Sequence, residues 1–260
     1  MGERMEEKEI GGVGFIAGRW PLDQVKSTVV FIHGSGGTGH FWKAQVEGLA
    51  GRVNTVALDL PGHGRSAADG KDTIADYSLA VAEFVDALEA PRAILCGLSL
   101  GGAIVQQLLL DFEGRFAAAI LIGTGARLKV SPALFEAIEN DYPGFVEMLC
   151  KLASSKSTHA SVIEPFRDDL TKCRPAVTCG DFQACNRFNL MERLEQISVP
   201  VLVISAEEDT LTPPKFARFL EAGIPNAVRK HIQAAGHIAP MEQPQEVNQA
   251  IIDFLDRLGL

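Results

Sequence analysis

Cysteine is scarce and carries no pairing pattern. The five residues, Cys96, Cys150, Cys173, Cys179 and Cys185, are odd in number and lack a CxxC spacing, which speaks against a disulfide framework and a familiar zinc site. No run reaches about 18 uninterrupted apolar residues, so no membrane span is expected. Basic residues are in deficit: 24 Lys+Arg stand against 33 Asp+Glu, a net charge of −9 that would repel polyphosphate and excludes a general nucleic-acid binder. Internal repeats and low-complexity tracts are missing. The first twelve residues hold Glu3, Glu6, Glu7 and Glu9 without an apolar stretch behind them, unlike a secretory signal. The expectation from these absences is a cytoplasmic protein whose partners are small molecules, with neither membrane nor nucleic acid involved. Nothing in the chain speaks to oligomeric state.

What is present is an ordinary globular balance, with 47% apolar residues in 260, enough for one large domain. Short, nearly unbroken aliphatic runs at 28–32, 55–58, 93–96, 118–122 and 199–204 read as buried parallel strands, and the alternation of Val228, Lys230 and Ile232 reads as an edge strand. Between them, Ile74, Tyr77, Val81, Phe84, Val85 and Leu88 recur at helical spacing behind a capping box of Thr73 and Asp76. Val247, Ile251, Phe254 and Leu258 repeat the pattern ahead of Gly259. From 128 to 194 no strand run appears, and short helical patterns are separated by Pro143, Pro165 and Pro175. The economical reading is an α/β core of residues 1–127 and 195–260 with a helical cap at 128–194.

The run at 93–96 leads directly into Gly97-Leu98-Ser99-Leu100-Gly101-Gly102 and then a helical pattern. Glycines at this spacing permit the sharp strand-to-helix turn that presents a serine hydroxyl. A nucleophilic serine needs a base, and that base needs an acid to hold its tautomer. His237, in the loop after the last strand, is the candidate base; His231 falls within a strand and His159 within the cap. Asp209, the third acidic position of the loop Ala206-Glu207-Glu208-Asp209-Thr210, is the candidate acid, with Glu208 its rival. For the oxyanion, the backbone N–H of Leu100 is one donor. The glycine-rich loop His33-Gly34-Ser35-Gly36-Gly37 supplies the second, assigned to Ser35 with Gly36 as the close alternative, while His33 braces the loop.

HGSGG at His33, DLPGHGRS from Asp59, GLSLGG at Gly97, the acid loop at Asp209 and GHIAPMEQP from Gly236 together resemble the α/β-hydrolase superfamily of capped serine hydrolases. The resemblance implies an eight-stranded, mostly parallel sheet flanked by helices, and a structural role for Asp59 to Ser66 that leaves His63 outside the catalytic set. It also implies acyl chemistry without metal or organic cofactor, on a small ester or lactone. Enol-lactone hydrolases share several motifs, carbon-carbon hydrolases of vinylogous diketones share the triad order, and a non-catalytic binder or an acyl transferase on the same fold are further readings. The first two act on anionic substrates, which would call for a cation under the cap, with Arg187, Arg174 and Arg167 as candidates. Phe145, Leu149, Phe182 and Phe188 are candidates for the acyl pocket or for the cap's own core, and Gly36 for a substrate contact.

Overall fold

The computed structural model describes residues 5–90 and 92–260; Glu3, one of the N-terminal acidic residues above, lies outside them. Its elements run β1 (Glu6–Ile10), β2 (Val13–Ala17), β3 (Thr28–Ile32), α1 (Lys43–Leu49), β4 (Asn54–Leu58), α2 (Ile74–Ala87), β5 (Ala93–Leu98), α3 (Leu100–Asp111) and β6 (Ala118–Ile122). Four helices follow, α4 (Pro132–Asn140), α5 (Tyr142–Ala153), α6 (Ala160–Lys172) and α7 (Pro175–Arg187). The chain then returns to β7 (Val201–Ala206), α8 (Pro214–Gly223), β8 (Ala227–Ile232), the short α9 (Ala239–Glu242) and α10 (Pro244–Leu258).

The eight strands form one sheet in the order β1-β2-β4-β3-β5-β6-β7-β8. Pairing is parallel from β4 through β8 and antiparallel only where β2 meets β1 and β4. Successive side chains of a strand point to opposite faces, and β3 shows the consequence. Val30 and Ile32 join the core under α2 and α3, whereas Val29 and Phe31 join the core under α1 and α10. Both faces are therefore covered, and the central strands are apolar throughout. The helix ends follow local chemistry. Thr73 accepts a hydrogen bond from the N–H of Asp76 at the start of α2, and Gly259 takes a left-handed φ of 65° just past α10.

Two sequence expectations shift. The hairpin β1-β2 precedes every strand read from the sequence. β1 is a half-exposed edge strand of sequence EEKEI, so it lacks the aliphatic run that marked the others; the signal for it was Gly11-Gly12, both at positive φ, the pattern of a tight two-residue hairpin turn. β7 begins at Val201 rather than 199, because the N–H that proline lacks keeps Pro200 out of the ladder.

Candidate active site

Ser99 sits between β5 and α3 with φ 54° and ψ −114°, a left-handed conformation that costs a residue with a Cβ on the order of 1–3 kcal/mol and clusters at functional sites. The surrounding glycines make it possible. A Cβ at Gly97 would collide with the backbone of Gly101, one at Gly101 with the carbonyl of Ile32, and one at Gly102 would lie 2.6 Å from Thr124 Cγ2. The turn is then pinned from both sides: the Ser99 N–H donates to the carbonyl of Ile122 (3.0 Å), and the Thr124 hydroxyl donates to the Ser99 carbonyl (2.9 Å).

The loops after β7 and β8 meet at this end of the sheet. His237 Nδ1 lies 2.9 Å from Asp209 Oδ2. The same carboxylate accepts the N–H groups of Leu211 (2.9 Å) and Thr212 (2.8 Å) on Oδ1 and the Thr212 hydroxyl (2.7 Å) on Oδ2. Burial alone would raise the Asp209 carboxyl, but the neighbouring His237 and these donors hold it below the usual carboxylate range. An ionised Asp209 keeps the imidazole proton on Nδ1 and leaves Nε2 as the accepting nitrogen. Glu208 instead accepts from the N–H of Lys156 (3.1 Å). The histidine loop is anchored by Glu242, whose carboxylate accepts from the N–H groups of Gly236 (2.7 Å) and Ser155 (2.7 Å). Against the imidazole lies Gly123, where a Cβ would stand 3.2 Å from His237 Nδ1. Gly123 directly follows the Ile122 carbonyl that binds Ser99, and Ser99 and His237 both line a single cavity of about 770 Å³.

Ser35 lines this cavity and Leu100 follows Ser99 at the start of α3, and among the described residues no hydrogen bond runs from either backbone N–H to another group of the chain. The cavity wall is largely apolar, including Leu134 from α4, Leu149 from α5, Phe166 from α6 and Phe182 from α7. Leu149 and Phe182, read from the sequence as candidates for the acyl pocket or the cap's core, line this cavity. Three other assignments are corrected. The N–H of Gly36 is already given to the carboxylate of Asp181 (2.8 Å), and Gly36 lies behind the wall, under Leu170. Phe145 is 1% exposed and packs edge-on behind Phe182 (centroids 5.8 Å apart), so it supports the wall without forming it. Arg187 turns outward to Asp72 (2.7 Å). Arg167 and Arg174 likewise pair with Glu147 and Asp69. Among the described residues the Lys and Arg side chains on the wall are Arg127, Lys129 and Lys215, and no wall residue is acidic. The sequence reading missed them because it sought cations within the cap helices, whereas Arg127 and Lys129 precede α4 and Lys215 lies on α8 of the core.

The buried histidines outside the Asp209–His237 pair are held by the fold. His33 receives the N–H of Leu60 on Nε2 (3.0 Å) and bonds the Gly34 carbonyl through Nδ1 (2.8 Å), bracing the loop as a neutral ring. Burial, with the charge of His63 adding to it, pushes His33 well below its ordinary 6.5. For His63, burial would do the same, but the adjacent Asp181, assisted by Cys173, holds it well above 6.5. Burial also pushes up the thiols: Cys96 rises well above the usual range, Cys150 to about 11 and the wall residue Cys185 to about 12, which leaves no buried thiolate to act as nucleophile. Among the described residues no cluster of three or more His, Cys, Asp or Glu is placed to hold a metal, and no helix is long and apolar enough to cross a membrane.

The two buried imidazoles make folding stability depend on pH in opposite directions. Below 6.5 the unfolded chain protonates His33 and the folded chain does not, so stability falls with falling pH; His63 contributes fully below 6.5 and its contribution is lost as pH rises toward its elevated folded value. Urea midpoints measured from about pH 5 to about pH 8 should therefore peak near neutrality, with the alkaline limb flattened in His63→Gln. A midpoint that climbs steadily across that range would contradict the assignment. The groups facing His63 are Asp181, Cys173 and His33.

Comparison with known proteins identifies the family of this fold. Residues 29–250 match the model of the alpha/beta hydrolase family. The 3-oxoadipate enol-lactonase 2 of Acinetobacter baylyi is 24% identical over 242 residues, 90% of each chain. A putative carbamate hydrolase, RutD, of Variovorax paradoxus is 29% identical over 246 residues, covering 89% of this chain and 92% of the relative. A thermophilic esterase superposes with a TM-score of 0.85 at 30% identity over 98% of both chains. With the eight-stranded sheet and a family match across most of its length, the chain belongs to the alpha/beta hydrolase family.

Proposed function

We propose that the protein is a serine hydrolase that cleaves a small carboxylic ester or lactone through an acyl-enzyme on Ser99. The observation that carries this reading is the buried Asp209–His237 pair opening onto the same cavity as a serine held at positive φ. In the first step Ser99 Oγ bonds to the carbonyl carbon while His237 Nε2 takes its proton, and the oxyanion rests on the N–H groups of Leu100 and Ser35. His237 then returns that proton to the leaving oxygen as its bond to carbon breaks. A water, deprotonated by the same nitrogen, repeats the sequence and releases the acid and Ser99. Residues 128–194 act as a cap over this chemistry, since each of their four helices contributes a wall residue. The enol-lactonase relative and the esterase structure support an acyl substrate. A burst of nitrophenol from p-nitrophenyl acetate, equal to the enzyme concentration and followed by slower turnover, is the test. A screen over ester, enol-lactone, carbamate and vinylogous diketone then identifies the scissile bond. Absence of both burst and turnover with all four would favour a binding protein.

The apolar wall with Arg127, Lys129 and Lys215 and no carboxylate favours an acyl group with an anionic far end. An ester carrying a distal carboxylate should show a KM several-fold, about 3- to 10-fold, below that of its neutral amide isostere at low salt, with the gap closing near 0.5 M salt as exposed charges are screened. Equal KM values at low salt would remove the argument.

A further inference from the structure

Resting on that reading, we propose that Asp181 is a positioning residue for the acyl chemistry: from helix α7 it fixes the loop that presents the Ser35 N–H to the oxyanion. Asp181 is fully buried and accepts three hydrogen bonds, from the N–H of Gly36 (2.8 Å) and Nε2 of His63 (3.0 Å) on Oδ2 and from the hydroxyl of Tyr77 (2.6 Å) on Oδ1. These partners come from three separate stretches of the core, and the bond to Gly36 spans 145 positions in sequence.

The loop's own hydrogen bonds show what that contact does. The Gly34 carbonyl accepts from the Gly37 N–H (3.2 Å) and faces His33 Nδ1 (2.8 Å), and the Gly36 N–H goes to Asp181. Around Ser35 the Gly34 carbonyl and the N–H groups of Gly36 and Gly37 are thus engaged, and among the described residues no bond from the Ser35 N–H is seen. Gly36 holds a φ of 69°, a conformation that the glycine adopts readily and could equally leave. The charge-assisted bond from its N–H holds the peptide plane between Ser35 and Gly36, and through the shared α-carbon it restricts the plane that carries the Ser35 N–H.

Helix α7 is itself held firmly enough to serve as a reference. Val177 sits against the paired glycines 62 and 70, where a Cβ at Gly70 would stand 3.0 Å from it, and a Cβ at Gly180 would stand 2.6 Å from the Lys71 carbonyl. Phe182, the residue after Asp181, and Cys185, one turn further on, both line the substrate cavity. One helix therefore shapes the acyl pocket with Phe182 and sets an oxyanion donor with Asp181. Exchange of a buried carboxylate is usually felt as lost stability; a positioning role predicts a separate loss in kcat.

The experiment measures kcat and KM for p-nitrophenyl acetate, together with thermal midpoints, in Asp181→Ala, Asp181→Asn, Tyr77→Phe and Ser99→Ala. Asp181→Ala should lower kcat about 10- to 100-fold, short of the full loss of an oxyanion donor, with KM within about threefold. Asp181→Asn should recover most of that loss, because its amide oxygen can still accept from Gly36 while its NH₂ group meets the Tyr77 oxygen. Tyr77→Phe removes the bond to Oδ1 and the acceptor of the Lys71 N–H but leaves the Gly36 bond to Oδ2 in place, and should lower the midpoint with kcat within about twofold. If Asp181→Ala does not fold, the double exchange Asp181→Leu with His63→Leu removes the charges together and makes the same comparison. A folded variant lacking the Gly36 acceptor with unchanged kcat overturns the inference, as does an equal kcat loss in Tyr77→Phe. Turnover surviving in Ser99→Ala overturns the acyl-serine reading itself; Ser99→Ala inactive beside a fully active Asp181→Ala overturns only the role of Asp181.

Discussion

Replacing Ser99 with alanine should reduce kcat by about 10⁶-fold, the scale seen when a serine nucleophile is removed and only binding and oxyanion stabilisation remain. The structure makes this a clean experiment. Alanine keeps the Cβ, so the turn at φ 54° carries the same strain and the same contacts, and the bonds that pin it, from the Ser99 N–H to Ile122 and from Thr124 to the Ser99 carbonyl, use backbone atoms only. Thermal stability and substrate affinity should stay close to wild type while the nitrophenol burst disappears. A folded Ser99→Ala protein that keeps more than about one part in a hundred of wild-type kcat would remove the nucleophile assignment.

Asp209→Asn should lower kcat by about 10⁴-fold through the tautomer of His237. The direction of the substituted amide is dictated by its surroundings. The Oδ1 position receives two backbone N–H groups, from Leu211 and Thr212, which only the amide oxygen can satisfy. The NH₂ group must then take the Oδ2 position, opposite His237 Nδ1, and it forces that nitrogen to accept a hydrogen bond. The ring proton moves to Nε2, the nitrogen that must take the proton of Ser99, and the base is blocked while the fold survives. The loss should be far smaller at high pH or with a pre-ionised thiol nucleophile in Ser99→Cys, because the base is then less needed. A kcat within tenfold of wild type for Asp209→Asn would show that His237 takes its orientation from elsewhere.

The features legible in the sequence were those set by near neighbours. The elbow at Ser99 was readable because steric exclusion at Gly97, Gly101 and Gly102 acts over a few residues; the cap of α2 at Thr73 and the stop at Gly259 were readable for the same reason. Asp209 could be preferred over Glu208 from loop position, and the two carboxylates do separate, one to His237 and one to Lys156. The hairpin β1-β2 was hidden because an edge strand does not need an aliphatic run. Arg187 was misplaced because helical periodicity assigns a face without telling what lies opposite, and opposite Arg187 lies Asp72.

Residue order and spacing alone were thus sufficient for the strand-turn-helix geometry at Ser99 and the apolar strands, because each follows from backbone sterics and short-range patterning, and they nominated Ser99, Asp209 and His237 in that order. Folding in three dimensions was needed to show that Gly36 gives its N–H to Asp181 while, among the described residues, no bond from the Ser35 N–H is seen, and that Phe145 stands behind Phe182. It was needed equally to bring Arg127, Lys129 and Lys215 to the cavity wall. The reason is physical: a hydrogen bond across 145 positions depends on how helix α7 docks against the loop after β3, and that docking is a property of packed side chains that no local pattern encodes.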